Sequence, residues 1–183
     1  MSGAGGIELW WIGAAGVDGA VLGDVRAHVE AVFGVPVRIR DVPQRPPDSF
    51  DPRRGQHSST RILRWLEAAR RPGATKVLAL TDVDLFIPVL TFVYGEAQLG
   101  GSAAVVSTAR LADGSGADPL VLVTRLLKEA VHELGHTFGL LHCDAPVCAM
   151  SRSVNLPHVD GKGDALCGDC RSRLGEVRHV AEG

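Results

Sequence analysis

The dodecapeptide His132-Glu133-Leu134-Gly135-His136-Thr137-Phe138-Gly139-Leu140-Leu141-His142-Cys143 constrains this chain more than any other stretch. It reads HExxHxxGxxHC. On a helix, His132 and His136 project from one face, one turn above the other, so both imidazoles reach one zinc ion. Glu133, beside the first ligand, is placed to hold a water at the open position of such an ion. Gly139 accommodates the positive φ that ends a helix and turns the chain. That turn brings His142 back as a third ligand. Three neutral imidazoles leave the ion its full dipositive charge, which lowers the pKa of a bound water toward neutrality. A bare HExxH also occurs on solvated helices. Here the flanking Val131, Leu134, Phe138, Leu140 and Leu141 make the helix apolar, and burying His-Glu-His there without partners is costly.

The cysteines pose a second question. Cys143, Cys148, Cys167 and Cys170 are the only four, and they form a C-x4-C and a C-x2-C separated by 18 residues. The pattern suits a tetrahedral four-cysteine zinc site better than a disulfide framework. A redox role for Cys167-Gly168-Asp169-Cys170 needs a strand before it and a helix after it, and no strand pattern precedes it. Unpaired thiols are the remaining alternative. Because Cys143 directly follows His142, a second zinc would brace the third ligand of the first. The expectation is therefore two Zn2+ per chain, one catalytic and one structural.

Composition narrows the partners. At 183 residues and 45% hydrophobic content, one globular domain with a real core is expected over 1–183. It divides into an N-terminal subdomain over 1–139 and a C-terminal subdomain over 140–183. A net charge of −2 provides no basic field for nucleic acid or anionic membrane. The first residues lack a basic n-region, and Asp82, Asp84 and Glu96 interrupt the most apolar region, so neither a secretory signal nor a membrane span is expected. The chain reads as cytoplasmic and monomeric.

Strand and helix patterns alternate before the zinc motif. Strands are expected at Ile7–Ile12, Val35–Val42, Lys76–Leu80, Thr91–Tyr94 and Ala103–Ser107. Helices are expected at Val21–Phe33, from Ser58 or Ser59 to about Arg71, and at Leu120–Leu140. Pro43–Gly55, rich in proline and charge, is expected to be a loop. The order indicates an α/β or α+β fold: a twisted mixed sheet of about five strands backed by helices. The cysteine-rich remainder is too small to fold without metal.

These residues also carry a family resemblance. The three-histidine motif resembles that of metzincin metalloproteases, in which a methionine-containing turn underlies the zinc; Met150 occupies that place. HExxHxxGxxHC-x4-C-x-M followed by CxxC is similar to the archaemetzincin family. So are Thr81-Asp82-Val83-Asp84-Leu85-Phe86, Phe92-Val93-Tyr94-Gly95-Glu96-Ala97 and the run Ala104–Leu111. Two departures, Thr91 in place of an asparagine and a slightly short spacer between Met150 and Cys167, touch no proposed ligand. The resemblance implies a zinc metallopeptidase in which Glu133 is the general base. It implies a cleft whose upper rim is an edge strand, near Thr91–Tyr94, that pairs with an extended peptide or unfolded segment. Two other readings stay open: a zinc hydrolase of a non-peptide amide, and a four-cysteine binding module with vestigial catalysis. Intact Glu133 argues against the latter, since pure metal binding has no use for that carboxylate. His158 is the nearest further polar donor, though it has no partner pattern.

Overall fold

The computed structural model describes residues 5–41, 46, 48–112 and 118–182. Its main sheet contains β1 (Ile7–Trp11), β2 (Val37–Arg40), β5 (Lys76–Thr81), β7 (Gly95–Ala97) and β8 (Ala103–Ser107) in the order β2-β1-β5-β8-β7. The first four are parallel, with Leu9 opposite Leu78 and Leu78 opposite Ala104; β7 runs antiparallel along β8 and forms the edge. Strands β1, β5 and β8 are buried almost throughout, so they read in sequence as continuous apolar runs rather than alternations.

The two-residue period of a strand assigns their side chains to two cores. Leu9, Leu78, Leu80, Ala104 and Val106 face α1 (Gly19–Phe33) and α3 (Pro119–Thr137). Trp10, Val77, Ala79, Ala103 and Val105 face α2 (Ser59–Ala69) on the other side. All three helices start on side-chain caps, with Asp18, Ser58 and Asp118 each accepting a backbone N–H of the first turn. Two further helices follow α3: α4 (Leu156–Gly161) and α5 (Gly168–Glu182).

The mixed five-stranded sheet backed by helices agrees with the sequence expectation, but several elements differ. A second sheet joins β3 (Phe50–Asp51), β4 (Gln56–Ser58) and β6 (Leu85–Phe86). Part of the expected Pro43–Gly55 loop is thus a hairpin strand; residues 42–45 and 47 lie outside the described ones. Thr91–Tyr94 is not a strand of the main sheet. The carbonyls of Leu90 and Thr91 accept hydrogen bonds from Arg54 and Gln56, and Val93 makes only an isolated bridge to Leu85. The edge strand begins just after it, at Gly95. Helix α3 ends at Thr137, three residues before the expected end, where Lys76 Nζ donates to the Thr137 carbonyl at 2.8 Å. A cation there complements the helix C-terminus. The chain then turns at Gly139, whose φ is +86°. The short α4 and the mostly polar α5 had no clear apolar period to reveal them.

Candidate metal centres and cleft

Helix α3 brings His132 and His136 to one face, and the turn at Gly139 returns His142 to them. The three rings lie with centroids 4.7–5.3 Å apart, and one ring nitrogen from each falls within 4.8 Å of the others. His132 Nδ1 faces the Ala149 carbonyl and His136 Nδ1 the Leu140 carbonyl, both at 2.8 Å. A carbonyl only accepts, so each Nδ1 carries the proton and each Nε2 is a bare lone pair. Burial pushes both imidazoles below the usual histidine range, which keeps them neutral. The two Nε2 atoms nevertheless sit 3.2 Å apart. Two lone pairs at that distance repel unless a cation lies between them. The donor set therefore fits zinc, for which imidazole is a suitable ligand.

Glu133 lies one residue along α3, only 6% exposed, beneath β7. A Cβ on Gly95 would stand 2.9 Å from Glu133 Oε1, so only glycine lets the edge strand lie this close over the carboxylate. Burial first, then the Glu129 carboxylate nearby, raises the Glu133 carboxyl well above its usual range. A dication at the imidazoles opposes that rise. Under the helix, fully buried Met150 packs on Gly135, where a Cβ would come within 2.3 Å of its sulfur. The two internal positions of the HExxH motif are thus apolar Leu134 and a glycine that makes room for methionine. The imidazoles, Glu133, Glu129, residues 90–97 and residues 152–154 line a cleft of about 420 Å³. Exposed His158 belongs to α4 and does not line it.

The four cysteines also converge. Their sulfurs lie within 4.8 Å of one another, none is in a disulfide, and Cys143 Sγ and Cys167 Sγ are 3.8 Å apart. Tetrahedral zinc–thiolate bonds of about 2.3 Å require sulfur separations of ~3.8 Å. Cys167 stands at the start of α5, where the Cys170 backbone N–H first, and neighbouring thiols next, draw its pKa down to about 7. The CxxC opens a helix, but two further sulfurs complete its surroundings and no strand leads into it. The backbone between the clusters is tied as well, by Cys143 N–H to the Met150 carbonyl at 3.0 Å.

The sequence reading missed the polar network behind the site. Lys162 Nζ, with a side chain 1% exposed, meets Glu129 Oε1 at 2.8 Å and lies 3.3 Å from His132 Nδ1. Arg125 pairs with Asp160 through two hydrogen bonds of 2.7 and 2.8 Å, and Lys128 Nζ donates to the Val159 and Asp160 carbonyls. A signal was present in the sequence. Arg125, Lys128 and Glu129 continue the polar stripe of His132, Glu133 and His136 up the helix at i+3 and i+4 spacing, where an apolar face would be expected.

A glycine-carrying sheet edge laid over a helix that offers paired bare imidazole nitrogens is the arrangement of a metzincin-like zinc peptidase. The comparisons with known proteins agree. The profile of Peptidase family M54 matches residues 70–176. The chain is 36% identical over 173 residues to an archaemetzincin of Haloquadratum walsbyi, covering 86% of this chain and 98% of that one. It is similar to the crystal structure of archaemetzincin from Methanopyrus kandleri, with 33% identity, a TM-score of 0.85 and 96% of each chain covered. A zinc-dependent peptidase from Methanocorpusculum labreanum is also similar, at 33% identity and TM-score 0.80, over 92% of this chain and all of that one. The chain belongs to the archaemetzincin family, peptidase family M54, and is a zinc-dependent metallopeptidase. No described helix is long and apolar enough to cross a membrane.

Proposed function

We propose that His132, His136 and His142 hold the catalytic zinc and that Glu133 is the general base of peptide-bond hydrolysis. The observation that carries this is the 3.2 Å approach of the two unprotonated Nε2 atoms with the Glu133 carboxyl one residue away. Bound there, zinc would supply Lewis acidity toward the scissile carbonyl and toward the attacking water. Glu133 takes the water's proton on a carboxylate oxygen and delivers it to the departing amine nitrogen. The Ala149 and Leu140 carbonyls fix the tautomer and orientation of the first two imidazoles. Met150 supports the helix from below. The free edge of β7 offers backbone groups to an extended peptide by strand addition.

Cys143, Cys148, Cys167 and Cys170 hold a second, structural zinc in this reading. The chain then acts as one catalytic domain, with 140–183 as a subdomain folded by metal. Recognition through backbone groups favours short peptides or disordered tails over folded proteins. The protein works as a cytoplasmic monomer.

The test is Glu133→Gln, assayed on a peptide library, on folded proteins and on acylated small molecules, with zinc measured by mass spectrometry. Two zinc ions per chain should remain while turnover falls about 10²–10⁴-fold. An unchanged rate with both metals in place overturns the mechanism. Turnover of the acylated small molecules alone overturns the peptide assignment.

A further inference from the structure

Arg152 has an unusually firm seat for an exposed residue. On one side of it, the Ser151 carbonyl accepts from Lys162 Nζ at 3.2 Å. On the other, Ser153 Oγ donates to Glu129 Oε1 at 3.4 Å. Lys162 and Glu129 are paired with each other at 2.8 Å, with side chains 1% and 3% exposed. The buried ion pair thus holds the backbone carbonyl before Arg152 and the side-chain hydroxyl after it, and the arginine itself lines the same open cleft as His142.

Its guanidinium has no hydrogen-bond or ion-pair partner among the described residues. The acidic groups that line the cleft are already engaged. Glu129 serves Lys162, Glu96 accepts from Thr60 Oγ1 at 3.1 Å, and Glu133 is buried beneath the edge strand. The cleft therefore presents one unsatisfied fork of donors whose geometry matches a carboxylate. Exposed Leu90 and Val154, which line the same cleft, add apolar surface to it.

We propose that Arg152 forms a carboxylate-binding subsite of the cleft, so that preferred substrates are peptides with a carboxylate close to the scissile bond. That carboxylate belongs either to the peptide's own C-terminus or to an Asp or Glu side chain. The proposal rests on the peptidase reading above and names the substrate class of the same site.

The test uses the zinc-loaded full chain and matched peptides: C-terminal acid against amide, and Asp against Asn at successive positions around the cleaved bond. The wild type should favour the carboxylate member by about tenfold in kcat/KM, expressed mainly in KM, as expected for one charge-assisted contact made equally in ground and transition states. The acid–amide pair reports a terminal carboxylate, and the Asp–Asn pair a side chain. Arg152→Ala should erase the ratio, and Arg152→Glu should reverse it toward peptides with Lys at the same position. The preference should also shrink as salt rises, because the contact is exposed. Equal kcat/KM for acidic and neutral peptides in the wild type, or an acid preference that survives Arg152→Glu, overturns the proposal.

A second measurement separates this proposal from the peptidase reading. Fluorescence anisotropy would follow the same peptides on zinc-loaded Glu133→Gln, with and without Arg152→Ala. Binding that depends on both the carboxylate and Arg152, in a protein whose wild type cuts no peptide, sinks the peptidase reading and keeps the subsite. Binding indifferent to Arg152 overturns the subsite whatever the turnover.

Discussion

The chain before Gly139 and the chain after it are held together by different physics. In the first, fully buried Leu9, Trp10, Leu78, Leu80 and Val105 fill both faces of one sheet, and helix caps finish the elements. In the second, α4, α5 and the link between them bury few large apolar residues among the described ones, chiefly Val159, Leu166 and Leu174. Order there comes from four convergent thiols and from charges that α3 extends to it. One region follows the apolar pattern; the other follows the ligands. His142 and Cys143, adjacent in sequence, are where the two meet, so the third imidazole of the proposed catalytic cluster depends on the stability of the weaker region.

The largest expected effect tests that dependence. Cys170→Ser should remove the proposed second zinc, and metal binding at such a site contributes on the order of 10 kcal/mol to folding of the segment that holds it. Hydrogen exchange should show α4 and α5 losing protection while β1, β5 and β8 keep theirs. Peptidase activity should fall as well, through His142. If zinc content drops to one per chain while α5 stays protected and activity holds, the division drawn between the two regions is wrong.

A smaller effect concerns the charges that join them. Lys162→Met leaves Glu129 buried without its partner, and breaking such a pair by removing one side costs about 3–5 kcal/mol. Glu129→Leu in the same chain should recover much of that loss, since two apolar groups need no partner. Urea unfolding of the wild type and these two variants measures both. A double variant as unstable as Lys162→Met alone would mean that Lys162 is held for its hydrogen bond to the Ser151 carbonyl rather than for its pairing with Glu129.

The same contrast explains what the sequence reveals. The convergence of the histidines is legible because the spacing is local: His132, Glu133 and His136 lie within five residues, and Gly139 announces the turn. Strands β1, β5 and β8 are legible as apolar runs, and β8 falls at its expected bounds. The second sheet is not, because its strands are two or three residues long, too short for a period, and Gln56 and Arg54 tie it to the distant Leu90 and Thr91 carbonyls. That capture of the Leu90 and Thr91 carbonyls also moves the cleft edge from Thr91–Tyr94 to Gly95–Ala97. Lys162 is illegible for a further reason. It reads as an ordinary surface charge until the fold buries it against Glu129.

The smallest expected effect lies within the first region, where ions decorate an apolar core instead of replacing it. Asp84 accepts two hydrogen bonds from Arg110, at 2.9 and 2.6 Å, and one from Gln56 at 3.0 Å. Burial pushes the Asp84 carboxyl up, but the Arg110 and Gln56 contacts outweigh it and hold its pKa below the usual carboxylate range. A depressed folded-state pKa contributes stability above the unfolded value, about 3.9, and that contribution is lost as pH falls through the folded-state pKa. Arg110 is half-exposed, so solvent screening limits the contribution to about 1 kcal/mol or less. Asp84→Asn should therefore be slightly less stable than the wild type at pH 6, and the gap should close below about pH 4. Taking the difference between variant and wild type at each pH cancels the acid sensitivity of the metal ligands, which both share. A gap of several kcal/mol, or one that widens toward acid, would show that this region too depends on its ions and would erase the contrast with the segment beyond Gly139.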